Sequence, residues 1–149
     1  MSLLPALMAS LALQTGVAEA VGPALDRVCM IPASASTRVK RRGARAAGFE
    51  FWGDFYELAR ADGSIAARVT GDSCTLDIML ERDALDGVDR ALQAWAAAQG
   101  LTQALDQTAE GVAERDRYRV NGGRLSWSVT GSQDADEPAL ILVTWRPRG

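Results

Sequence analysis

Carboxylates at Glu81, Asp83, Asp86 and Asp89 form the densest group of side chains in this sequence that could do acid–base chemistry. The three-residue spacing of Asp83, Asp86 and Asp89 sets them along one side of a helix, where neighbouring carboxylates could share a proton or hold a cation. Nothing else in the chain extends that chemistry. Its 149 residues include no His, so the commonest general base and neutral-nitrogen metal ligand are absent. Ser-His-Asp and Cys-His sites are therefore excluded, and zinc would have to rely on Cys29, Cys74 and carboxylates. There is no Gly-x-Gly-x-x-Gly and no phosphate-cradling Gly-x-x-x-x-Gly-Lys run. Asp134 and Asp136 fall in a polar stretch too short for a calcium-binding helix–loop–helix. Acids in a first helical turn are explained without catalysis, since each complements the helix dipole by about 0.3–1 kcal/mol. The chain reads as a non-enzyme with no cofactor and no metal, and a carboxylate-based enzyme is its least favoured alternative.

Arginine is the more informative residue. Arg38, Lys40, Arg41, Arg42 and Arg45 lie in a stretch with no acid between Ala33 and Phe49. Spacings of i, i+3, i+4 and i+7 put Arg38, Arg41, Arg42 and Arg45 on one helix face. Such a face suits anionic lipid headgroups or an acidic partner, or it is simply solvated. Directly after it come Phe49, Phe51, Trp52, Phe55 and Tyr56, either a satellite core or an exposed recognition patch. The four arginines together with Phe51, Trp52 and Tyr56 are the candidate binding residues. A second array, Arg115, Arg117 and Arg119, alternates on one side of a strand, with Glu114, Asp116, Tyr118 and Val120 on the other. It is expected to face water or cross-strand Ser126 and Ser128, protecting a sheet edge. Trp95, Trp127 and Trp145 lie on apolar stripes and read as core, so no aromatic platform for nucleic acid is present. A net charge of −3 implies neither a polyanionic nor a polycationic partner.

The elements that must position these residues follow from the apolar pattern. Leu3 to Leu13 is an apolar run of secretory type, without a basic residue before it, and Ala18-Glu19-Ala20 has the small-x-small form of a processing site. Residues 1–20 are therefore expected to be a cleaved signal peptide, and 21–149 a single periplasmic or secreted domain. The run is shorter than the ~20 residues that span a bilayer, so no transmembrane span is expected. Pro23 suits the first turn of a short helix through Cys29. A second helix runs from a Ser34 or Ser36 cap to Ala47, with Gly48 just past its end. Strands are expected at Phe55–Arg60, Ile65–Thr70 and Cys74–Leu80, with turns at Asp62-Gly63 and Gly71-Asp72. Asp83 should cap a long helix ending at Gly100, with Leu85, Val88, Leu92, Trp95 and Gln99 on its buried side. After a loop at Leu101–Gly111, a hairpin pairs Arg115–Val120 with Arg124–Thr130 through Asn121-Gly122-Gly123. A last strand, Ala139–Arg146, is apolar on both faces and so central or covered by helix. The sum is α+β: an antiparallel sheet of about five to six strands with two to three helices on one face.

Cys29 shares a helical stripe with Leu25 and Val28, and Cys74 alternates with Leu76, Ile78 and Leu80. The leader favours a bridge between them over two buried thiols. The run Leu25-Asp26-Arg27-Val28-Cys29, a nearby Pro32, the Arg/Ala-rich helix ending Ala46-Ala47-Gly48-Phe49, and Cys74 in a later strand resemble a loose group of small exported proteins of Gram-negative bacteria. The resemblance covers roughly residues 20–80 and does not include the Arg-rich face. It implies a periplasmic location and a Cys29–Cys74 bridge, and brings no known activity. The function expected is a non-catalytic exported domain that binds an envelope protein or an anionic envelope component. The alternative is a hydrolase inhibitor or immunity-like protein acting through the loop at Leu101–Gly111 or at Ser132–Glu137.

Overall fold

In the computed structural model, residues 16–32, 34–71, 73–101, 104–107, 117–121, 124–130 and 136–147 are described. Val17, Ala20, Val21 and Ala24 recur at helical spacing and are all buried in helix α1 (Val17–Ala24). The chain continues as a π-helical turn over Leu25–Cys29, closed by the Met30 N–H donating to the Leu25 carbonyl at 2.8 Å. Pro23 therefore lies inside α1, not in its first turn. The apolar stripe runs unbroken from Val17 to Cys29, and its burial outweighs the one backbone hydrogen bond Pro23 removes. The Ala20–Val21 junction falls within this helix.

Helix α2 (Thr37–Ala46) starts where expected, the Val39 N–H donating to Ser36 Oγ at 3.3 Å. Its end is a Schellman motif. Gly48 takes φ +93°, its N–H reaches the Arg45 carbonyl at 3.0 Å, and the Phe49 N–H reaches the Ala44 carbonyl at 2.9 Å. Ala44 and Phe49 are both buried, closing the motif on the core. Gly43, a weak helix former, marks the crossing of α2 over the π turn. A Cβ there would collide with the Ile31 side chain and the Arg27 carbonyl. Gly43→Ala gains about 1 kcal/mol on an open helix. Here it is expected to lower the melting temperature, and a rise would show that α2 does not approach the turn this closely.

The sheet joins eight antiparallel strands among the described residues, in the order β1-β2-β3-β4-β8-β7-β6-β5. Six are the expected ones: β2 (Tyr56–Arg60), β3 (Gly63–Thr70), β4 (Ser73–Leu80), β6 (Arg117–Asn121), β7 (Leu125–Thr130) and β8 (Ala139–Trp145). Two short edge strands join them, β1 (Glu50–Phe51) and β5 (Ala104–Gln107). The second replaces part of the loop expected at Leu101–Gly111; four residues are too few to show alternation. β8 lies between β4 and β7 and unites the two meanders, with Trp145 opposite both Cys74 and Leu125. Its apolar run serves two environments. Ala139, Ile141, Val143 and Trp145 are buried under the helices, while Leu140 and Leu142 lie exposed beside Met79 on the open face.

Helix α3 (Leu85–Ala98) follows a 3₁₀ turn at Arg82–Ala84. Asp83 lies within that turn, and the α-helical N-cap position falls to Ala84, which has no side-chain acceptor. So Asp83 is not the cap. Gly100 ends α3 at φ +76°, with the Leu101 N–H on the Ala96 carbonyl at 2.9 Å. Val88, Leu92, Trp95 and Ala96 form the buried side, whereas Gln99, at the C-cap, is exposed. Trp95 meets Trp145 edge-on with ring centroids 5.2 Å apart. Cys29 and Cys74 form a disulfide, Cα–Cα 5.4 Å, that ties the π turn to β4. Among the described residues no helix is long and apolar enough to cross a membrane.

Candidate functional site

The buried side of α2 is narrow: Ala44 and the Gly43 crossing face the domain, with Lys40 half-buried on the same side. Helical geometry then turns Arg38, Arg41, Arg42 and Arg45 to the opposite side, and all are exposed. Past Phe49 the chain reverses sharply. The Trp52 N–H donates to the Phe55 carbonyl at 2.8 Å, and Gly53 takes φ +75°. This turn pairs Phe51 with Tyr56 across β1 and β2, ring centroids 5.3 Å apart and tilted by 48°. The Arg41 guanidinium lies over the Phe51 ring, 4.2 Å from its centroid. The basic helix and the aromatic segment thus form one continuous surface. Behind it, Val28, Ile31, Lys40, Phe51, Asp54, Tyr56 and Val69 line a cleft of about 180 Å³.

The aromatic segment divides between core and surface. Phe49 is buried and Phe55 half-buried beneath Arg68, 5.6 Å away, while Phe51 is 41% and Trp52 55% exposed. Val39 adds a third exposed apolar side chain on α2. Arg41–Phe51 stacking at such exposure is worth about 0.5–1 kcal/mol, enough to hold the arginine in a defined pose. The charge is concentrated here: residues 38–45 carry five of the 16 basic residues and none of the 19 acidic ones. The rest of the chain has 11 bases against 19 acids, a balance of −8. Guanidinium groups are weakly hydrated and bind phosphate or carboxylate in two-pronged fashion, which is the chemistry four exposed arginines on one face offer. Sequence periodicity missed the part played by Lys40, Val28, Ile31, Asp54 and Val69, which four different segments bring to the cleft.

The acidic cluster is divided: Glu81 and Asp83 line one groove, and Asp89 is engaged elsewhere. Asp83 and Asp86 are exposed. Asp89 instead accepts hydrogen bonds from Trp127 Nε1 and Gln93 Nε2, both at 2.8 Å, and so anchors a core indole. Glu81, Arg82, Asp83, Asp136, Glu137 and Pro138 line an open groove of about 470 Å³. Among the described residues no three acidic or cysteine side chains could hold a metal ion. The second arginine array departs from expectation in its partners: Arg119 pairs with Trp127 and Arg117 with Val129, while Ser126 and Ser128 lie opposite Val120 and Tyr118. Arg115, Glu114, Asp116, Asp134 and most of the loop at 132–137 lie outside the described residues. The chain matches no family model, no curated protein and no solved structure.

Proposed function

We propose that this chain is an exported, periplasmic, non-catalytic domain that docks through α2 on an anionic phospholipid surface. The observation that carries the reading is the exposed face of Arg38, Arg41, Arg42 and Arg45 joined to exposed Phe51 by the Arg41–Phe51 stack, with exposed Trp52 next in the chain. Convex basic faces with adjacent Trp and Phe suit a headgroup interface: the guanidinium groups meet phosphates and the rings enter the acyl boundary. The surplus of acids elsewhere supports one orientation, with α2 toward the membrane. Export is supported by the apolar leader and by the Cys29–Cys74 disulfide, which persists in oxidising compartments.

Co-sedimentation with vesicles tests this directly. The oxidised protein is expected to pellet with phosphatidylglycerol-containing vesicles, to stay in solution with phosphatidylcholine alone, and to be released by salt. At about 1 kcal/mol per basic residue, Arg41→Glu with Arg42→Glu should weaken binding at least ~30-fold. Binding that ignores both lipid charge and these substitutions would remove the face from consideration. A protein that leaves vesicles alone but holds an acidic protein through the same arginines would replace the lipid as the ligand.

A further inference from the structure

The cleft behind the basic face has a lining that vesicle docking does not use. Its floor is aliphatic and fixed in place. Val28 is buried next to Cys29, and Val69 lies opposite Cys74 in the β3–β4 register, so the disulfide secures both. Ile31 adjoins them, held close to α2 at the Gly43 crossing. The rings of Phe51 and Tyr56 form a wall, tilted against each other, with Arg41 stacked on Phe51. The two charged lining residues are of opposite sign: Lys40 on α2 and Asp54 in the Trp52–Phe55 turn. Phe51 and Asp54 are exposed and mark the mouth, Lys40 is half-buried, and Val28 marks the closed end.

Size and charge narrow the occupant. An apolar cavity of about 150 Å³ takes a benzene ring, and pockets for drug-sized molecules begin near ~300 Å³. At about 180 Å³, the cleft fits one aromatic ring or one branched aliphatic group. A ligand bearing a single charge would meet a like charge at either Lys40 or Asp54, whereas a zwitterion complements both. An ammonium has three donors and a carboxylate about four acceptor sites, so each residue can hold a ligand beside a partner in the protein. We propose that the cleft binds a free amino acid with an aromatic or branched apolar side chain. Its carboxylate meets Lys40, its ammonium meets Asp54, and its side chain packs on Val28, Ile31 and Val69. The site uses none of Arg38, Arg42 and Arg45, so it stands or falls separately from lipid docking.

Calorimetric titration of the oxidised protein with L-phenylalanine, phenylacetate and phenethylamine tests this. All three carry the ring; the second lacks the ammonium and the third lacks the carboxylate. L-Phenylalanine is expected to bind saturably in the micromolar to millimolar range, and each single-charge analogue at least ~10-fold more weakly. Asp54→Asn should abolish the preference over phenylacetate alone, and Lys40→Met the preference over phenethylamine alone. Loss of folding would weaken all three compounds alike. Asp54 is exposed, so its variant keeps the test open should Lys40→Met not fold. Equal binding of the three, tighter binding of either analogue, or no saturation by about 10 mM would overturn the proposal. Those results leave vesicle docking standing, which Arg41→Glu with Arg42→Glu reads independently.

Discussion

Replacing both Cys29 and Cys74 by alanine is expected to lower the unfolding free energy by about 4 kcal/mol. The bridge spans 45 residues, and a loop of that length restricts the unfolded chain by this amount in the chain-entropy model. Both sulfurs are buried, so little of the loss can be recovered by solvation. The effect is structural as well as entropic, because the bridge is the covalent tie between the π turn and β4. Without it, the layer formed by α1 and the π turn is held by apolar packing, by the Val17 N–H bond to Asp62 Oδ1 and by the Trp95 Nε1 bond to Asp26 Oδ1. Domains of this size are stable by roughly 5–15 kcal/mol, so the loss would leave a marginal fold in a reducing compartment. Urea unfolding of the oxidised protein and the double variant measures it, as a shift in midpoint at constant slope. A difference below about 1 kcal/mol would show that the non-covalent contacts secure that layer without the bridge.

The second large effect is expected at Asp89. Asp89→Ala leaves the indole N–H of Trp127, a side chain only 1% exposed, without its 2.8 Å acceptor. Hydrogen bonds to a charged acceptor contribute about 1.5–3 kcal/mol, so destabilisation in that range is expected. Trp127→Phe in the same background should recover part of it, giving a coupling energy of at least about 1 kcal/mol in a double-mutant cycle. Asp83→Asn and Asp86→Asn, on exposed side chains, should change stability by less than about 0.5 kcal/mol. This pattern separates a core anchor from an acid–base cluster. A neutral Asp89→Ala, with loss of a measurable reaction in Asp86→Asn, would restore the carboxylates as candidates for chemistry.

Local signals were legible in the sequence because each is complete within a few residues. Ser36 caps α2, and Gly48 and Gly100 end helices, through chemistry confined to one turn of chain; the turn expected at Asp62-Gly63 falls one residue earlier, with Gly63 opening β3, and Gly122-Gly123 lies outside the described residues. Burial of Trp95, Trp127 and Trp145 followed from apolar stripes, and the pairing of Cys29 with Cys74 from the apolar leader and from their being the chain's two cysteines. What the sequence hid depends on distant partners. The start of α1 was obscured because Val17, Ala20 and Val21 suit a leader's end as well as a core helix, and only Asp62 distinguishes them. The partners of Arg117 and Arg119 were misassigned because a one-residue change in hairpin register exchanges every facing residue. The candidate surface was half visible. Periodicity aligned the four arginines, but the turn at Trp52–Phe55 is what carries Phe51 beneath Arg41.

Docking of the α2 face and its aromatic rim on an anionic membrane surface, as proposed, can be read directly at Trp52. Of the four tryptophans, Trp95, Trp127 and Trp145 are 7%, 1% and 2% exposed, while Trp52 is 55% exposed, next in the chain to the Phe51 that stacks under Arg41. A titration of the oxidised protein with phosphatidylglycerol vesicles, followed by tryptophan emission, therefore reads that one ring. The expected result is a shift to shorter wavelength that saturates with lipid, reverses with salt, and disappears in Arg41→Glu with Arg42→Glu. Emission that stays at the wavelength of a water-exposed indole through the whole titration would contradict it.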